Sequence, residues 1–162
     1  MLCRYGNALG PVQGVGYINE LLARLTESPV QDNTQTNRTL DASPDTFPLT
    51  RTLYIDFSHD NLMIAVYSAI GLFRQRAPLD PTRPDPARTW VVSKLVPFSG
   101  RLVTERLQCG AGTYVRMLVD DAGHQKRTCT WNMEHGEEHV GTCSFYMMSM
   151  YYEHVEHTEG TC

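Results

Sequence analysis

A chain of 162 residues is long enough for one domain with a buried core. It is 41% hydrophobic and 20% charged, with a formal net charge of -4. That acidic balance, without any Lys/Arg stripe, speaks against a nucleic-acid partner, and no apolar run approaches the roughly 18 residues that a membrane span needs.

The chain starts Met1-Leu-Cys-Arg-Tyr-Gly, which shows no basic region followed by an apolar core, so no signal peptide is read there. Gly6 to Gly16 form a Gly-rich lead. Gly10, Gly14 and Gly16 match neither a Walker loop nor a dinucleotide fingerprint, and they read as turn and helix-packing glycines. Val15, Ile18, Leu22 and Leu25 have helical spacing and predict a helix over 17–26, closed by Pro29. Residues 28–51 are rich in Ser, Thr, Asn, Asp and Pro and read as a long surface loop. Within it, Asn37-Arg38-Thr39 is a glycosylation sequon, with Asn37 as the acceptor.

Thr52-Leu-Tyr-Ile-Asp-Phe57 predicts a strand, and Leu62 to Phe73 predicts an apolar helix. Between them stands Ser58-His59-Asp60-Asn61. A strand-to-helix crossing exposes polar side chains beside free helix N–H groups, where α/β proteins bind anions. His59 would bind phosphate there and Asp60 would donate a proton. The alternative is a plain helix cap, with Ser58 or Asp60 accepting from orphan N–H groups.

A Pro-rich loop spans 77–87. Trp90 to Val96, Arg101 to Leu107 and Tyr114 to Val119 predict strands, the last two joined as a hairpin through Gly110-Ala-Gly112. Residues 121–162 carry five of the six histidines and few aliphatic residues, and no packed structure is assigned to them. The five cysteines, Cys3, Cys109, Cys129, Cys143 and Cys162, cannot all pair internally. With the sequon they lean toward a secreted origin.

Leu53 to Asn61 resembles the proton-donor region of the histidine acid phosphatases, specifically the fungal phytases. Similar likenesses run through Tyr5–Tyr17, Asn19–Thr26, Thr39–Asp41, Phe47–Leu49, Lys94–Phe98 and Val115–Val119, covering roughly residues 5–121 in order. The resemblance implies an α/β fold: the C-terminal portion of a histidine-phosphatase-type sheet with flanking helices, incomplete without its N-terminal part. Residues 1–120 would form this part of the domain and 121–162 a divergent Cys/His-containing tail. The implied activity is hydrolysis of phosphomonoesters such as myo-inositol hexakisphosphate through a phosphohistidine. His59 would contact the phosphate, Asp60 would protonate the leaving oxygen, and Asn61 would help bind substrate. No metal and no organic cofactor is implied. Implied partners are a small-molecule phosphate ester and the missing N-terminal part of the same domain, whose absence would leave unpaired strand edges and exposed apolar faces.

One departure limits this. The family's nucleophile lies in an Arg-His-Gly-x-Arg-x-Pro motif, and no such run occurs in the chain; His135-Gly136 is followed by Glu137-Glu138. The chain alone is therefore expected to be inactive, since covalent catalysis and the phosphate clamp are missing. The resemblance also implies that Cys109 and a C-terminal cysteine bond to the missing part, and that Cys129 opens a small local bridge with Cys143 as its candidate partner. Two other readings stay open: a non-catalytic inositol-phosphate-binding module, and a zinc-binding tail built on Cys129, His135, His139 and Cys143.

Overall fold

A computed structural model of the chain describes residues 9–34, 36–73, 78–80, 82–109, 112–120 and 127–132. Two compact units divide them, one ending at Ala69 and one beginning at Ile70.

The first unit opens with a single 3-10 turn, Pro11–Gln13, and helix α1 (Val15–Thr26). α1 buries Val15, Ile18 and Leu25 of the predicted stripe, but Leu21 rather than Leu22 is the buried leucine between them, and Leu22 is half-buried. It ends at Glu27, which sits in the left-handed region at φ 56° and whose N–H donates to the Ala23 carbonyl. The following loop contains one short helix, α2 (Arg38–Asp41). Its cap is Asn37, the sequon residue: Asn37 Oδ1 accepts from Thr39 N–H at 3.1 Å and from Thr39 Oγ1 at 2.6 Å. The loop also folds onto α1 through a polar knot. Asp32 accepts from Thr34 N–H (2.6 Å) and Thr34 Oγ1 (2.9 Å), and Thr34 Oγ1 lies 2.7 Å from Thr36 Oγ1.

Helix α3 (Asp60–Ile70) follows. Ile64 through Ala69 are all buried, which fits its nearly unbroken apolar sequence. The helix stops at Gly71, whose φ of 80° is open to glycine and costly for other residues. α1 and α3 meet at Gly14. A Cβ built there would stand 2.5 Å from the Ala65 carbonyl oxygen and 2.8 Å from Val66 N, so only a glycine lets the two backbones come this close. The expected packing role of this glycine is what the structure shows.

The second unit contains helix α4 (Val92–Leu95) and an antiparallel sheet of β1 (Leu102–Cys109), β2 (Gly112–Val119) and β3 (Arg127–Asn132), in the order β1-β2-β3. The β1–β2 hairpin is the predicted one, each strand two residues longer at the turn, with Cys109 opposite Gly112. Val115, Met117 and Val119 are buried on one face of β2. On the other, Glu105 and Arg116 stand directly opposite each other and pair at 2.5 Å.

Three expectations need correction. Trp90 to Val96 is not a strand: residues 92–95 coil into α4, with Leu95 N–H donating to Val91 O (3.1 Å) and Val96 N–H to Val92 O (2.9 Å). Its apolar residues, Val91, Val92, Leu95 and Val96, recur with helical spacing, and Pro97 ends the turn. Thr52 to Phe57 joins no ladder among the described residues. Its alternation is nonetheless present, with Leu53, Ile55 and Phe57 exposed at 72%, 68% and 96%. Finally, β3 adds a strand inside the segment left without assigned structure. It pairs with the free edge of β2 through its backbone, so its scarcity of aliphatic residues did not prevent it. Among the described residues, no helix is long and apolar enough to cross a membrane.

Two predictions test this packing. Gly14→Ala should destabilise the chain by about 1–3 kcal/mol, because the added methyl group meets the α3 backbone, and a thermal melt will show the loss. Ile55→Lys should raise the fraction of monomer in size-exclusion chromatography coupled to light scattering, because it puts a charge on an unpaired apolar edge.

Candidate anion site at the start of α3

His59 and Asp60 lie where α3 begins, and the local sequence explains the turn. The His59 carbonyl accepts from Leu62 N–H (3.1 Å) and Met63 N–H (3.0 Å), which starts the helix. Asp60 is the first helical residue, and its Oδ1 accepts the Asn61 N–H at 2.7 Å. The carboxylate thus satisfies one orphan donor at the helix N-terminus. His59, Asp60 and Asn61 are all exposed. The three predicted residues are contiguous at one surface, and the capping reading and the anion reading share the same geometry.

A second constellation holds the segment that leads into this turn. Arg24, in the last turn of α1, lies with its guanidinium 4.9 Å from the ring centroids of both Phe47 and Tyr54. Its Nη1 donates to Asp56 Oδ2 at 2.5 Å and its Nη2 to Asp56 Oδ1 at 3.4 Å. The Tyr17 hydroxyl donates to Asp56 Oδ2 at 3.5 Å. Burial, and next the nearby Asp56 carboxylate, raise the Tyr17 hydroxyl above its ordinary pKa. Burial likewise raises Glu20, with Arg24 pulling the other way.

Sequence reasoning missed this group. One signal was available: Tyr17, Glu20 and Arg24 recur at i, i+3 and i+7, which makes them a polar stripe on α1. Its partners, Phe47, Tyr54 and Asp56, come from distant chain positions, and no local pattern announces them.

Among the described residues no group of three or more His, Cys, Asp or Glu could hold a metal ion. Of the zinc-tail residues, Cys129 falls in β3, opposite Met117, while His135, His139 and Cys143 lie outside the described residues. The Cys129–Cys143 bridge therefore also falls outside them.

A model of the histidine phosphatase superfamily, branch 2, matches residues 2–120, a span that runs through Ser58–Asn61. The chain belongs to that family. It is 48% identical over 121 residues to Phytase A of Aspergillus fumigatus and 50% identical over 120 residues to Phytase A of Emericella nidulans. Phytase A of Penicillium oxalicum is 51% identical over 122 residues. Each match covers 72% of this chain and 26% of the relative, so the chain spans about a quarter of the length of these curated relatives. The helices and small antiparallel sheet are those of part of an α/β histidine phosphatase-type domain.

The electrostatics of α1 yield a prediction. A carboxyl whose folded pKa is raised contributes its full stability below its unfolded value, about 4.5 for Glu20, and loses it as pH rises through the folded value. Glu20→Gln should therefore raise the melting temperature near pH 7, and the gain should vanish as pH falls below about 4.

Proposed function

We propose that this chain carries the proton-donor part of a phytase-type phosphomonoesterase, with myo-inositol hexakisphosphate as the substrate class. The observation that supports it most is the near-half identity to several Phytase A proteins across a match that includes Ser58–Asn61. In this reading His59 contacts the scissile phosphate, Asp60 protonates the leaving inositol oxygen, and Asn61 lies beside them to help hold substrate. As the P–O bond to the inositol breaks, the Asp60 carboxyl gives its proton to the departing oxygen, which leaves as the alcohol. The same carboxylate, deprotonated by that step, then takes a proton from the water that cleaves the phosphoenzyme. Secretion and glycan attachment at Asn37 accompany this reading, and Asn37 is exposed.

A second reading is a non-catalytic inositol-phosphate-binding module, in which the exposed His59–Asp60–Asn61 turn holds the anion without turning it over.

Two measurements separate them. The 162-residue chain alone should release no phosphate from inositol hexakisphosphate at pH 5. A hybrid in which residues 9–120 replace the matching stretch of a Phytase A relative should turn over, and Asp60→Asn in that hybrid should lower kcat by about 10²–10⁴-fold. A hybrid whose kcat ignores Asp60→Asn would remove Asp60 from the chemistry.

A further inference from the structure

α1 supports the His59–Asp60 turn from two directions. At its start, Gly14 lies against the Ala65 carbonyl of α3. At its end, Arg24 reaches the segment that enters the turn. Of that segment, Leu53, Ile55 and Phe57 point away into solvent, while Tyr54 and Asp56 both end on the one guanidinium. The Tyr54 hydroxyl in turn accepts the Arg51 N–H at 3.1 Å, and Asp56 stands three residues before His59. Residues 52–57 join no sheet among those described, and Tyr54 and Asp56 tie them to α1 through Arg24.

Stability does not account for this arrangement. The Asp56 side chain is 41% exposed, and an ion pair so placed adds little. Arg24 meanwhile buries its Nε without a hydrogen-bond partner, which works against the fold. What the arrangement supplies is direction. A planar guanidinium held between two rings presents its fork in one plane, and a carboxylate that meets both prongs is held in that plane.

We propose that Arg24 is the positioning residue of the anion site: by clasping Tyr54 and Asp56 it sets the register in which residues 51–59 deliver His59 and Asp60 to the start of α3. The proposal rests on the reading of His59 and Asp60 as the phosphate-handling pair. Lysine would keep the charge and lose both the fork and the stacking, so Arg24→Lys should behave as a loss.

The test uses the 162-residue chain and two NMR readouts. The Asn61 amide, which donates to Asp60 Oδ1, should follow the ionisation of that carboxyl in a pH titration, and inositol hexasulfate should shift the His59 ring resonances. In Arg24→Lys, Arg24→Gln and Asp56→Asn the amplitude of the Asn61 titration should fall, and inositol hexasulfate should bind about tenfold more weakly. The amides of β1 and β2 should keep their positions, which a general loss of structure would not allow. Should Arg24→Gln fail to fold, Asp56→Asn decides, since it alters an exposed group and leaves the stacked guanidinium in place. An Asn61 titration and an affinity unchanged in Asp56→Asn and Arg24→Lys would overturn the proposal. The underlying reading fails separately. If His59→Ala binds inositol hexasulfate as the parent chain does, or if neither binds, the phosphate assignment is lost, and the Asn61 titration alone decides the role of Arg24.

Discussion

The first unit depends on the close approach of α1 and α3 at Gly14, where a methyl group would meet the Ala65 carbonyl. Two backbones this close leave no room for intervening side chains, so the helices share one short interface and the remaining faces of α1 are free for other work. Its apolar stripe goes into the core, and its polar stripe, Tyr17, Glu20 and Arg24, meets the loop and the segment before α3. A second near-contact at Gly16, where a Cβ would stand 2.6 Å from Thr36 Oγ1, brings the Asp32–Thr34–Thr36 knot against the same helix. Burial raises the Asp32 carboxyl, but hydrogen bonds from Thr36, Thr34 and Asn19 outweigh it and leave its pKa lowered. The knot is thus a charged acceptor made comfortable by donors, which suits a loop that must hold its place without a sheet.

The site inherits its character from that scaffold. A helix N-terminus offers unpaired N–H groups and a positive field, and α3 begins with a carboxylate already bonded to one of those groups. Alone, that is a helix cap. In the proposed reading His59 and Asp60 divide two tasks along that turn, the imidazole meeting the anion and the carboxyl giving the leaving oxygen its proton.

Residues 52–57 have the alternation of a strand without a ladder among the described residues: Tyr54 and Asp56 serve the clasp, while Leu53, Ile55 and Phe57 form the other, outer side. The chain spans about a quarter of the length of its phytase relatives, and in this unit the outer face meets solvent.

Local pattern was enough to place α1, α3, the hairpin and the His59–Asp60 turn, because helical periodicity, a glycine-flanked alternation and a polar break between apolar runs are all contained within a few residues. It misplaced Trp90–Val96, where two adjacent valines suggested a strand although the apolar spacing fits one helical turn. It passed over β3, which forms because β2 has a free edge. The alternation of residues 52–57 was legible, but whether a strand has a partner is a property of the rest of the fold. The Arg24 clasp was invisible for the same reason: Arg24 and Asp56 are 32 positions apart, and only the loop folded back over α1 brings them together. The sequence by itself therefore determined which segments can coil and which residues are candidates for the chemistry. The tertiary structure decided what holds them in place, since positioning is done by contacts between parts of the chain that no local rule connects.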